Sequence, residues 1–199
     1  MWHHLPARLR AFGASRPELE VRLDDPPPWE ALEQLREHRA DVAAIMVADA
    51  DDFARRYGDE FVIRRWRRMP LVGVFADADA PAGPVTLAEF ATRELVLPQR
   101  TAALASLPEL VERARADAGV RPARIRTMST IQTSLPLVQA GLGVGILPDP
   151  GGEVLARFGV VARELAPAPP PLEALLVARR SRERRAIVDA FLDARDPAQ

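Results

Sequence analysis

A chain of 199 residues is long enough for one ordinary domain or two small lobes, and 48% hydrophobic with 28% charged residues is a globular composition. No apolar run reaches membrane-spanning length, the lack of cysteine excludes disulfides and thiolate metal sites, and a net charge of −1 gives no general pull toward nucleic acid. The opening Met-Trp-His-His-Leu-Pro has neither the basic start nor the apolar core of an export signal, so the expected compartment is the cytoplasm.

Leu5, Leu9 and Phe12 share one face of a first helix that Pro17 closes. A short strand is expected over 20–23, then a rigid Pro26-Pro27-Pro28 connector, a helix carrying Trp29, Leu32 and Leu35, and a buried strand over 41–47. This α-β-α-β order marks a parallel sheet covered by helices. Strands at 60–68 and 71–75 flank Pro70, a loop covers 77–84, a turn of helix 86–90, and a strand 94–97 leads into a loop at 98–101. Ser106 with Glu109 is a capping box for the next helix, which places Pro108 in its tolerant first turn and ends at Gly119.

The most informative stretch runs from 127 to 148. A strand begins at 123–126, and Ser129 with Gln132 has capping-box spacing. Leu135, Val138 and Leu142 recur at helical spacing, and Gly141 suits a left-handed helix stop. Pro136 lies inside this helix, which implies a kink or a later start near Ser134. Val144, Ile146 and Leu147 form a buried strand that Pro148 ends. Strand, capped helix, strand leaves a helix N-terminus at a strand's carboxyl end, where unpaired N–H groups and the helix dipole favour an anion; the hydroxyls of Ser129 and Thr130 flank it, as ligand donors or as plain caps. Gly141, Gly143 and Gly145 are not a dinucleotide fingerprint, because that motif needs its strand before the glycines and its helix after them. The rest of the chain reads as a turn at 149–152, strands at 160–164 and 172–178, a proline-rich crossing at 166–171, and a last helix at 182–194.

Little here suits catalysis. His3, His4 and His38 have no metal-ligand spacing, no G-x-S-x-G elbow is present, and Asp24-Asp25 and Asp51-Asp52 read as loop charges. Arg64, Arg65, Arg67 and Arg68 around Trp66, and Arg179, Arg180, Arg182, Arg184 and Arg185, read as solvated charge rather than a phosphate track. Expected are no enzyme activity, no cofactor and no metal.

Residues 137–148, L-V-Q-A-G-L-G-V-G-I-L-P, closely resemble the L-V-A-A-G-x-G-x-x-x-x-P segment in the effector-binding domain of LysR-type transcriptional regulators. Leu5-Pro6, Leu9, Phe12, Pro17, Leu19, Val21 and Leu23 match that domain's opening pattern, and Ala40-Asp41-Val42-Ala43-Ala44-Ile45 echoes its G-x-L-D-L-A-I run. The resemblance covers nearly the whole chain. It departs at the start, where the family carries a DNA-binding helix-turn-helix, a linker helix and a first strand: the chain is either a fragment or a shortened relative.

What the resemblance implies is an α/β, two-lobed, periplasmic-binding-protein-like (type II) fold lacking its first strand. Residues 1–75 plus 172–199 form regulatory lobe I and 76–171 lobe II. The implied function is a small-molecule effector-binding regulatory domain, with DNA contacted only through a helix-turn-helix absent from this sequence, no membrane partner, and a homodimer as the working state. A solute-binding protein of the same fold and a domain that only dimerises are the alternatives. The expected site lies where the loops Gln99-Arg100-Thr101 and Ser129-Thr130-Ile131 converge. An amide, a guanidinium, hydroxyls and a helix N-terminus suit a small organic carboxylate, though Arg100 is equally readable as an exposed loop charge.

Overall fold

The computed structural model describes residues 4–100, 104–121, 123–149, 151–181 and 186–194. In chain order the elements are α1 (His4–Ala14), α2 (Pro28–Arg36), β1 (Ala43–Val47), α3 (Ala50–Tyr57), β2 (Phe61–Met69), β3 (Leu71–Ala76), β4 (Glu94–Pro98), α4 (Leu107–Asp117), β5 (Arg124–Met128), α5 (Ile131–Gln139), β6 (Val144–Pro148), α6 (Gly152–Ala156), β7 (Val160–Glu164), β8 (Leu172–Arg179) and α7 (Ala186–Asp193). Short 3₁₀ turns at Asp77–Asp79 and Leu87–Phe90 precede β4. The chain forms two compact units, one of residues up to Met46, Ala50–Arg67 and from Ala174 onward, the other of Val47–Asp49 and Arg68–Glu173.

The first unit is built on a three-stranded sheet, β1-β8-β2. Val62, Leu176, Ala178, Val188 and Leu192 form a core cluster, against which Trp66, Ile187 and Phe191 pack half-buried. Arg8 is 3% exposed, unusual for a guanidinium. It donates to the carbonyls of Phe191 and Leu192, in the last turn of α7, where the helix dipole is negative.

Arg36 clasps Glu60 from Nε and Nη2 at 2.6 and 2.8 Å, and Glu33 from Nη1 at 2.6 Å. The hydrogen bond from Arg36 holds the Glu60 carboxyl below its ordinary value of 4.5, against the opposing pull of desolvation. A depressed folded-state pKa contributes stability that is complete above the ordinary value and is lost as pH falls through the depressed one. Glu60→Gln should therefore destabilise the chain at pH 7 and converge with wild type in acid. The Glu60 side chain is 40% exposed, so the gap at pH 7 should be about 1 kcal/mol or less. Urea midpoints from pH 7 to pH 3 test this; a gap that persists in acid would mean the carboxylate is not its source.

The second unit holds a five-stranded mixed sheet, β5-β4-β6-β3-β7. β4 is parallel to β5, from Glu94↔Arg124 to Pro98↔Met128, and to β6 through Leu95↔Val144 and Val96↔Gly145. β3 lies antiparallel between β6 and β7 and is buried along its whole length. The division expected after residue 75 thus cuts behind a strand whose ladders lie wholly in this second sheet.

Local chemistry sets the element ends. Ser106 N–H donates to Glu109 at 2.8 Å in the expected capping box. After α5, Gly141 adopts φ +70°, and the bonds Leu142 N–H to Leu137 O and Gly141 N–H to Val138 O close a Schellman motif.

Four sequence expectations need correction. Residues 19–27 contain no strand, and Val21 and Leu23 are 52% and 68% exposed. The stretch around Asp51-Asp52 is a helix, α3, with its acids in the first turn and Arg55 and Arg56 in the last. Leu142 is 52% exposed rather than buried, because the helix ends before it. Of the two outcomes expected of Pro136, a kink or a later start near Ser134, the later start is overturned, since α5 begins at Ile131 and runs through Pro136. Of the basic run near the C-terminus, Arg182, Arg184 and Arg185 lie outside the described residues, as does His3.

Candidate functional site

β4 and β5 are parallel neighbours, so both carboxyl ends, Pro98 and Met128, open on one edge of the sheet. Gln99 N–H donates to Met128 O at 2.7 Å, which locks the root of one loop to the root of the other. From β4 the chain moves through α4 outward to β5; from β5 it returns through α5 past β4 to β6. Right-handed crossovers in opposite directions put α4 and α5 on opposite faces. The strand order reverses at β4, so the topological switch point, where open α/β sheets bind ligands, lies between the carboxyl ends of β4 and β6, with the β5 end beside it.

The structure brings Gln99, Arg100, Ser129, Thr130 and Ile131 to this edge; Thr101 lies outside the described residues. The N-cap of α5 is Thr130, one residue beyond the expected Ser129. Thr130 Oγ accepts from Thr133 N–H at 3.2 Å, and Thr133 Oγ accepts from Thr130 N–H at 3.3 Å, so Thr133 takes the role the spacing assigned to Gln132. The shift frees Ser129. Its side chain is exposed and makes no hydrogen bond among the described residues. Ile131 N–H, the first of the helix, also has no backbone acceptor among them. Thr133 and the fully buried Ser134, which donates to Ile131 O at 2.5 Å, are the residues sequence reasoning missed. A threonine three places after a hydroxyl cap was the available signal.

Arg100 points elsewhere. Its guanidinium is paired with Glu112 and lies 3.7 Å from Glu109, both on α4. At the amino ends of the same strands, Glu94 accepts from Arg126 at 2.6 Å, which lowers its carboxyl pKa and raises the Arg126 guanidinium. A shallow cavity of about 420 Å³, lined by Phe75, Pro81, Ala88, Glu89, Thr92 and Arg93, contains none of the loop residues. Its Glu89 is occupied in capping Thr86, at 2.6 and 3.0 Å. Among the described residues no group of three or more His, Cys, Asp or Glu could hold a metal, and no helix is long and apolar enough to cross a membrane. What the edge offers is neutral and dipolar: a hydroxyl, an amide, N–H groups and a helix N-terminus.

The sequence profile of the LysR substrate binding domain matches residues 1–195. The chain belongs to that family. As a LysR effector-binding domain it is a regulatory domain and not an enzyme. Its fold is similar to the C-terminal domain of a probable LysR family regulator from Rhodococcus sp. RHA1, with TM-score 0.74 and 24% identity over 94% of this chain and 89% of that one. It is similar to the effector-binding domain of QuiR in complex with shikimate, at TM-score 0.77 and 15% identity over 96% and 88%. The effector-binding domain of BenM with its effector benzoate follows, at TM-score 0.69 and 18% identity over 94% and 82%. No curated protein matches the chain. The LysR resemblance in residues 137–148 therefore holds for the whole domain, with β6 and the end of α5 carrying it.

Proposed function

We propose that this LysR domain senses a small organic carboxylate, held at the β4 and β5 ends by Gln99, Arg100, Thr101, Ser129, Thr130 and Ile131. The observation that carries the reading is the free Ser129 hydroxyl beside the open N-terminus of α5, at the carboxyl edge of the parallel strands of the second sheet. Ser129 donates to one carboxylate oxygen, Ile131 N–H to the other, and the Gln99 amide closes the side. Thr130 Oγ caps the helix, and its hydroxyl proton turns from Thr133 Oγ, 3.3 Å away, to the ligand. Arg100 exchanges Glu112 for the ligand; its side chain is 55% exposed, and an exposed pair of this kind contributes about 0–1 kcal/mol, so the exchange is cheap. Shikimate and benzoate, bound by QuiR and BenM, are small carboxylates of this class.

The wider frame of the proposal is a type II two-lobed domain, working as a homodimer in the cytoplasm and acting on DNA through a helix-turn-helix outside this sequence. Calorimetry against a panel of small organic acids tests the site. Charge-assisted hydrogen bonds contribute about 1.5–3 kcal/mol each, so Thr130→Val or Ser129→Ala should weaken binding about tenfold or more. Arg100→Ala should also reduce the salt dependence. Arg10→Ala, an exposed change on α1, is the control. A bound acid indifferent to all three site changes would place the site elsewhere; no binding by any acid would favour a domain that only dimerises.

A further inference from the structure

The shallow cavity of the second unit holds an acid and a base that do not meet. Glu89 lies in the 3₁₀ turn Leu87–Phe90, and Arg93 follows it four positions on. Four positions is the spacing at which opposite charges pair on a helix. Here each turns to another partner. Glu89 accepts from Thr86 N–H at 2.6 Å and from Thr86 Oγ at 3.0 Å, both on Oε2. Its Oε1 accepts no hydrogen bond among the described residues. The Thr86 bonds, that from the N–H first, hold the Glu89 carboxyl below its ordinary value, and the field of Arg93 adds least. The Arg93 guanidinium lies over the Phe75 ring, 5.6 Å from its centroid, and donates no hydrogen bond among the described residues.

The walls around the pair are fixed. Phe75 and Phe90 are each 1% exposed, with ring centroids 5.5 Å apart. Arg163 Nε donates to Pro81 O at 2.5 Å and pins the loop that carries Pro81. Thr92 adds an exposed hydroxyl that makes no hydrogen bond among the described residues. The cavity, about 420 Å³, thus presents an open carboxylate oxygen, open guanidinium N–H groups, a hydroxyl, and apolar surface from Pro81 and Ala88. A plain anion entering it would meet Glu89, and a plain cation would meet Arg93. A ligand that carries both charges avoids both repulsions.

Its position separates it from the carboxylate site. Arg93 immediately precedes β4, and Val74, next to Phe75, pairs with Gly145 near the start of β6. The cavity therefore lies at the amino ends of the parallel strands. At about 3.3 Å per residue, Gln99 is about 20 Å away along β4.

We propose that this cavity is a second ligand site, for a small zwitterion of the α-amino acid class with an apolar side chain. Arg93 and Thr92 take the carboxylate, Glu89 Oε1 takes the ammonium, and the side chain lies on Pro81 and Ala88. Arg93 need not leave Phe75 to do so, since a guanidinium stacked on a ring still presents its N–H fork in its own plane. The domain then reads an amino acid at one edge of the sheet and an organic acid at the other.

L-Leucine, 4-methylpentanoate and 3-methylbutylamine share one branched side chain and carry both charges, only the carboxylate, and only the ammonium. They are titrated into the full chain by calorimetry, with amide NMR shifts from Ala88 to Arg93 locating the contact. Leucine should bind, and each of the other two at least tenfold more weakly. Arg93→Gln and Glu89→Gln should each weaken leucine at least tenfold. Glutamine can still cap at position 89, so the turn should survive, and circular dichroism checks the fold. Arg10→Ala is again the control. No binding of leucine in the millimolar range overturns the site. Leucine binding that Ser129→Ala removes and Arg93→Gln does not belongs to the carboxylate site and overturns this one alone. A 4-methylpentanoate bound through Arg93 as tightly as leucine overturns the zwitterion and leaves a plain anion pocket.

Discussion

Leu135→Ala should lower the unfolding free energy by about 2–5 kcal/mol, the cost of removing a large aliphatic side chain from a site that cannot collapse. Leu135 and Val138 are both 0% exposed and fix α5 to the sheet, where the helix packs on β4, β3 and β6. β3 and β6, buried at every position, leave a truncated side chain nothing mobile to draw in. Urea unfolding measures the loss. Leu142→Ala is the internal contrast. It has the same chemistry and falls on the same predicted stripe, but Leu142 is 52% exposed and should cost about 0.5 kcal/mol or less. Equal losses at the two positions would mean that α5 continues past Gly141. Since α5 also presents Thr130 and Ile131, Leu135→Ala should weaken effector binding as well, through the helix and not through contact.

The same contrast shows what a sequence can and cannot specify. The β5–α5–β6 unit was legible because each of its signals is local: a hydroxyl near the start, apolar spacing along one face, glycine and proline at the ends. Position within a cap is less legible, because Ser129, Thr130, Thr133 and Ser134 are all hydroxyl residues, and only the backbone conformation decides that Thr130 caps and Ser129 stays free. The strand expected at 20–23 has the correct pattern and fails for a non-local reason. A strand exists by its ladder, and among the described residues no partner reaches it. The helix α3 was hidden in the opposite way. Its acid-first, arginine-last arrangement was present, but with only Ala50 and Phe53 buried it carries too little apolar periodicity to announce itself. Arg100 shows the limit for the site. Sequence puts a guanidinium on a loop; whether it faces a ligand or the acids of α4 depends on where a separate helix packs.

Gly143→Ala should be costly as well, about 1–3 kcal/mol, although it adds a single methyl. A Cβ built there would lie 2.8 Å from Glu94 O and 2.7 Å from Val96 Cγ2, both on β4. A valine methyl can rotate away. The carbonyl cannot, because β4 is held on both sides by its ladders to β5 and β6. The methyl must therefore push β6 off β4 at the start of their pairing. Gly13→Ala is the matched control: it lies within α1, no described residue stands within 4 Å of the added atom, and it should stabilise by about 0.5–1 kcal/mol through helix propensity. Gly143 also lies at the amino end of β6, whereas the candidate site lies at the carboxyl ends of the parallel strands. The loss should appear in thermal and urea midpoints, with effector affinity at saturating folded fraction changed less than threefold. A Gly143→Ala protein as stable as wild type would show that β4 and β6 are farther apart in solution than their register implies.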